Sequence, residues 1–141
     1  MEQELKALTL IDLISEKHII LRKSIEDRWQ ATQEEAISHT EGLLLAKLYM
    51  GKTSLAEVAR QANISRQAMY KCAKQLEARG YLTFMSDEAK AKYAVLTKKG
   101  EHYYHKSQLL KQEIEKEIEE VSGAQLMEGL KETLKRDWEV I

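Results

Sequence analysis

The sequence predicts a mainly α protein with one small β-hairpin. Three observations predict it. Apolar residues recur at spacings of three and four over long stretches, the period of a helix. Ser-x-x-Glu and related patterns stand where such stretches begin. The 141 residues include no proline and one phenylalanine, which disfavours proline-rich linkers and a many-stranded β protein. The chain is 43% apolar and 32% charged, enough of both for a packed core and a charged surface in a single domain over 1–141.

Residues 3–30 read as one long helix. Ala7, Ile11, Ile14, His18, Leu21, Ile25 and Trp29 form its stripe, and Leu10, Leu13 and Ile20 widen it. So broad an apolar face should pack on more than one partner. Ser38-His39-Thr40-Glu41 is a capping box opening a second helix with Leu43, Leu44, Leu45, Leu48 and Tyr49 inward and Gly51 at its stop. Ser54-Leu55-Ala56-Glu57 is another. It opens a short helix with Leu55, Val58 and Ala59 inward, ending near Asn63, a residue that tolerates the left-handed turn. Ser65 caps the next helix. Ile64 and Met69 can staple its entry, Cys72, Ala73 and Leu76 extend its buried side, and Gly80 ends it.

Tyr81–Met85 and Lys92–Leu96 are β-capable runs around a polar turn, a hairpin. Thr97 caps a long helix reaching about Val121, marked by Tyr104, Leu109, Leu110, Ile114 and Ile118. Ser122-Gly123-Ala124-Gln125 reads as a third capping box, with Val121 and Leu126 as its staple. The last helix carries Leu126, Leu130, Leu134, Trp138 and Ile141.

Charge is segregated along this order. Residues 1–50 sum to −3, residues 51–99 to +6 and residues 100–141 to −4, within a net −1. A basic middle between acidic ends points to a polyanion-binding module, because binding responds to the local field rather than to the net charge. One cysteine excludes an intrachain disulfide framework. The opening Met1-Glu2-Gln3-Glu4 lacks a basic signal-peptide region, and no stretch approaches the roughly 18 apolar residues of a membrane span. A cytoplasmic chain with no membrane partner is expected.

Two short helices joined by a tight turn and followed by a hairpin describe a winged helix-turn-helix. The stretch Ser54-Leu55-Ala56-Glu57-Val58-Ala59-Arg60-Gln61-Ala62-Asn63-Ile64-Ser65-Arg66-Gln67-Ala68-Met69-Tyr70 carries the motif. Gln75-Leu76-Glu77-Ala78-Arg79-Gly80-Tyr81-Leu82 and Val95-Leu96-Thr97-Lys98-Lys99-Gly100 continue it. In these residues the chain resembles the MarR family of bacterial transcriptional regulators, and the long flanking helices extend the resemblance over nearly the whole sequence. The resemblance implies a winged helix-turn-helix lobe at 37–99 and long N- and C-terminal dimerisation helices at 3–30 and 100–141. It also implies a homodimer that represses transcription until a small-molecule effector releases it. The sequence departs from the family at the wing tip: Glu88 and Lys90 stand where an aspartate and an arginine are usual, and lysine lacks the planar fork of arginine.

The partner expected is double-stranded DNA. With Met69, Cys72 and Leu76 inward, Gln67, Tyr70, Lys71 and Lys74 face outward beside Arg66. Arg66 suits guanine and Gln67 adenine in a major groove. Lys71 and Lys74 suit phosphates, as do Ser65 with the helix amides and Lys90 and Lys92 on the hairpin.

Trp29, His39, Tyr49 and Tyr104 are candidates for an effector pocket between the terminal helices and the winged lobe. His102 and His105, at i and i+3, are candidate metal ligands, although the family's metal sensors place a histidine where Gly42 stands. Cys72 faces inward, where a cysteine behaves as a small hydrophobe rather than a redox switch. Phosphate loops, nucleophile elbows and acidic metal motifs are absent from the sequence, so neither catalysis nor a cofactor is expected. Two alternatives remain: a winged-helix module that docks on protein, and a metal-responsive regulator.

Overall fold

The computed structural model describes residues 7–51, 53–89 and 92–139. Its elements are α1 (Leu10–Ala31), α2 (His39–Met50), α3 (Leu55–Ala62), α4 (Arg66–Ala78), β1 (Leu82–Ser86), β2 (Lys92–Leu96), α5 (Lys98–Ser122) and α6 (Ala124–Lys135). They group into two compact units. One comprises 29–107, the other the described parts of 1–28 and 108–141.

The unit of 29–107 is built on a core of Leu44, Leu45 and Leu48 from α2, Val58 and Ala59 from α3, and Met69, Cys72, Ala73 and Leu76 from α4. Tyr81, Leu82 and Ala94 close it from the hairpin side. Local chemistry sets each boundary. At α2, Ser38 accepts from the Glu41 amide at 3.1 Å while Glu41 accepts from the Ser38 amide at 2.8 Å, a complete capping box. At α3, Ser54 accepts from the Glu57 amide at 3.0 Å, but the Glu57 carboxylate turns along the helix to Arg60 and Gln61.

Asn63 ends α3 in the left-handed region, at φ 55° and ψ 45°. The Ile64 amide then reaches Ala59 O at 3.0 Å and the Asn63 amide reaches Arg60 O at 3.2 Å, so a Schellman closure forms the turn. Ser65 caps α4 through the Ala68 amide at 3.0 Å. Gly80, at φ 87°, ends α4 in the same way: Tyr81 N–H bonds Leu76 O and Gly80 N–H bonds Glu77 O, each at 3.0 Å.

β1 and β2 pair antiparallel from Leu82↔Leu96 to Ser86↔Lys92. β1 thus starts one residue later than its composition suggests. The Tyr81 amide is taken by the α4 closure, and Tyr81 O accepts from the Thr97 amide at 3.1 Å. Thr97 is the corner post. Its hydroxyl donates to Gly80 O at 2.6 Å and accepts from the Gly100 amide at 3.2 Å. A Cβ built at Gly100 would lie 2.2 Å from Tyr81 O, which is why glycine closes this motif.

Around this corner, Arg79 donates from Nε to Glu35 at 2.5 Å, from Nη1 to Glu41 at 2.7 Å and from Nη2 to Ala36 O at 2.5 Å. Glu35 also accepts from Tyr81 Oη at 3.0 Å and Lys99 Nζ at 3.2 Å. These bonds pull its carboxyl down from an ordinary 4.5 to about 2, Arg79 contributing most.

In the other unit, Arg28 pairs with Glu113 and Glu117, and Lys131 with Glu115 at 2.8 Å. Leu110 and Ile114 are buried, whereas no residue of α1 or α6 is. Four expectations need correction here. The long helix expected over 3–30 is not continuous: residues 7–9 are not helical, and α1 begins at Leu10, where Thr9 and Asp12 form a capping box; residues 3–6 lie outside the described residues. Ser122 does not cap the last helix. It still belongs to α5, and Gly123, at φ 89°, breaks the chain before α6. The expected staple does not form, with Val121 and Leu126 88% and 70% exposed. Finally, α6 stops at Lys135, so Trp138 lies beyond it and folds back to donate to Thr133 O at 2.9 Å; Ile141 lies outside the described residues. Among the described residues no helix is long and apolar enough to cross a membrane.

Two outcomes follow for stability. Gly100→Ala should cost about 3 kcal/mol in urea unfolding, since the methyl group meets a backbone oxygen. Glu35 is held ionised in the fold, so its contribution is complete above pH 4.5 and fades as pH falls towards 2. Unfolding midpoints between pH 6 and 3 should therefore drop more steeply for the wild type than for Glu35→Gln; parallel drops would show that Glu35 is not so held.

Candidate nucleic-acid interface

The second helix of the turn motif, α4, presents an exposed face whose first turns carry Arg66, Gln67, Tyr70 and Lys71. This face exists because the opposite one is spent on the core: Met69, Cys72, Ala73 and Leu76 are buried at helical spacing. Ser65, whose side chain holds the Ala68 amide, sits at the N-terminal end of the same face. Lys92 is exposed at the outer end of β2, opposite Ser86. Lys90 lies outside the described residues.

The basic residues of 51–99 divide by partner. Arg60 is bound to Glu57, Lys74 to Glu77 at 2.8 Å, Arg79 to Glu35 and Glu41, and Lys99 to Glu35 and Arg79 O. Among the described residues no ion pair engages Arg66, Lys71, Lys92 or Lys98. Among the described residues, the unpaired positive charge of 51–99 therefore lies on the exposed face of α4, on the hairpin and at the start of α5. Lys74, expected to point to phosphate, also stands 5.3 Å from the centroid of the Phe84 ring.

An open groove of about 940 Å³ runs beside α4, with Ser38, Thr40, Lys71 and Gln75 among its walls. Cys72 borders it, but burial pushes the thiol up to about 11, so it is not the thiolate that oxidation needs.

The residues weighed for an effector do not come together as one set. Trp29 packs edge-on against Tyr103 at 5.1 Å and donates to Glu35 O at 2.9 Å. Tyr49 is 42% exposed, not buried on the inner side of α2, and stacks on Tyr104 at 3.9 Å, with the His105 ring edge-on to both. His39 opens α2 directly after its cap. Of the metal candidates, His102 Nε2 lies 3.5 Å from Glu34, which Lys106 also holds at 2.6 Å. Among the described residues no group of three or more His, Cys, Asp or Glu is placed to hold a metal ion. At Gly42 a Cβ would lie 2.7 Å from the Tyr103 hydroxyl, so a histidine there would have to displace that ring.

No protein-family model and no curated protein matches the sequence. Solved structures match the fold. The MarR-family protein Rv2887 of Mycobacterium tuberculosis, in complex with DNA, is 20% identical, with 91% of this chain and 96% of that one covered at a TM-score of 0.72. MepR, a transcription regulator of the Staphylococcus aureus multidrug efflux pump MepA, is 15% identical, with 90% and 94% covered at 0.71. BldR, a transcriptional regulator from Sulfolobus solfataricus, is 18% identical, with 96% and 97% covered at 0.69. The chain has the winged helix-turn-helix fold of the MarR-family transcriptional regulators.

Proposed function

We propose that this protein is a sequence-specific, double-stranded-DNA-binding transcriptional regulator, a repressor that acts as a homodimer on a pseudo-palindromic operator in the cytoplasm. The observation that carries this reading is the exposed face of α4, where Arg66 and Lys71 are free of ion pairs within the described residues and stand beside Gln67 and a hairpin bearing Lys92. Such a helix enters the major groove by its N-terminal end. Arg66 is assigned to guanine and Gln67 to adenine. Ser65, Lys71, Lys90 and Lys92 are assigned to phosphates, and Tyr70 to the wall of the groove. The Rv2887 complex with DNA supports the partner, and its complex with salicylic acid supports a small organic effector.

The homodimer is assigned to the terminal segments 3–30 and 100–141. Ile11, Ile19 and Ile20 on α1 and Leu126, Leu130 and Leu134 on α6 are all more than half exposed, an apolar surface that a second copy of the chain would cover. Two recognition helices then address half-sites about one DNA turn, roughly 34 Å, apart.

Sequencing the genomic fragments retained by the protein, against an Arg66→Ala control, tests the assignment. A shared inverted repeat lost in the mutant is expected, with discrimination falling by about 1–3 kcal/mol. No enrichment over the mutant would move a protein-docking role to the front. Lys71→Ala should weaken all sequences alike and lower the salt slope by about one. Sedimentation at micromolar concentration should give a dimer, and a monomer would remove the assignment of the terminal helices.

A further inference from the structure

The hairpin leaves the core with four side chains on its inner side, Leu82 and Phe84 on β1 and Ala94 and Leu96 on β2. Leu82 and Ala94 are buried. Phe84, the one phenylalanine of the chain, is the outermost of the β1 pair and is packed against the core without being closed in by it. The surface of α4 faces it. The Tyr70 ring lies 6.3 Å away, tilted by 43°, and the Lys74 ammonium lies 5.3 Å from the Phe84 centroid. Glu77 holds the same ammonium at 2.8 Å. Tyr70, Lys74 and Glu77 are spaced i, i+4 and i+7, so they form one stripe of α4 turned towards the hairpin. Lys74 is about 60° round the helix from Lys71.

We propose that Phe84, Tyr70 and Lys74 form a strut that fixes the angle of the hairpin on α4, and that Lys74 is a positioning residue for DNA binding rather than a phosphate ligand. This inference rests on the DNA-binding reading. A two-stranded hairpin is marginal unless it packs on something. Beyond Phe84, β1 continues through Met85 and Ser86 towards the turn, so the strut holds the outer half of the hairpin. A hairpin already fixed at the right angle has less freedom to lose when DNA is bound. A lysine neutralised by Glu77 and seated over an aromatic ring also releases few counterions.

The test uses the full chain, the recovered operator duplex and a scrambled duplex of equal length. Lys74→Met keeps the aliphatic stem and removes the charge; Phe84→Leu keeps apolar bulk and removes the ring. In the free protein, NMR should show the Lys74 methylene protons shifted upfield by the Phe84 ring, and Phe84→Leu should abolish that shift. On DNA, Lys71→Met should lower the slope of log K against log salt by about 0.9, whereas Lys74→Met should leave it unchanged. Lys74→Met and Phe84→Leu should each weaken operator binding about three- to fivefold, and the double variant no more than either alone. A slope lowered by Lys74→Met as by Lys71→Met, or losses that multiply in the double variant, would overturn the positioning role. Unshifted Lys74 protons would overturn the strut itself. Failure of the wild type to bind either duplex would remove the DNA-binding reading and with it the role of Lys74 on DNA, while the NMR result still decides the strut.

Discussion

Arg79 is the constraint on which the winged unit depends. Its guanidinium is satisfied on three nitrogens by Glu35, Glu41 and the carbonyl of Ala36, so one side chain joins the segment before α2, the cap of α2 and the end of α4. Only an arginine has the planar fork that meets three acceptors lying in one plane; the compact ammonium of a lysine lacks that geometry and reach. Glu41 is shared in turn, closing the α2 capping box with one oxygen and accepting Arg79 with the other. The helix start and the ion pair therefore stand or fall together. Next to this cluster the Thr97 hydroxyl bridges Gly80 O and the Gly100 amide, so the end of α4, the start of β1 and the start of α5 meet within one turn of chain. The orientation of α4, and so of anything α4 reads, is set by this corner.

The same corner explains why net charge along the chain is a poor map of an interface. The +6 of residues 51–99 includes Arg60, Lys74, Arg79 and Lys99, all of which meet a carboxylate within the fold. Two of them, Arg79 and Lys99, do so to build the winged unit. Arg66 and Lys71 are left over because no carboxylate among the described residues comes within ion-pair distance of either: Lys71 shares a groove with Glu35 and Glu41, but Arg79 already holds both. A charge sum counts both kinds alike; only partners in space separate a structural cation from one available to a polyanion.

Much of the fold was legible because it is written in short-range chemistry. Ser38, Ser65 and Asn63 act within four residues of themselves, and the spacing of Met69, Cys72 and Leu76 needs only the helical period. The errors share a cause as well. Ser122-Gly123-Ala124-Gln125 has the letters of a capping box, but Ser122 is still helical and the break falls at Gly123, which has no side chain to cap with. Thr9 and Asp12 make the real box at the first helix, and an aspartate in the fourth place hid it. Trp138 keeps the spacing of the last helix, yet its ring nitrogen is satisfied by a carbonyl of that helix instead of extending it. Lys74 is exposed as its position on the helix requires. That it leans on Phe84, ten residues later and on a strand, depends on where the hairpin returns, and no local pattern carries that.

The apolar residues of α1 and α6 make the opposite argument, from what the fold leaves undone. Their spacing is that of a buried stripe, yet neither helix buries a single residue. Isolated helices draw little stability from propensity and much from packing an apolar face. Ile11, Ile19, Ile20, Leu126, Leu130 and Leu134 on such faces stay exposed in one copy, a surface of the kind that association covers. On the proposed homodimer reading, a self-association that buries this surface would also set the distance between two reading heads on a two-fold symmetric site. On the proposed reading, folding and sequence recognition are then linked. Substitutions on α1 or α6 that weaken association would lower operator affinity without touching DNA, because they separate the two α4 helices that bind together.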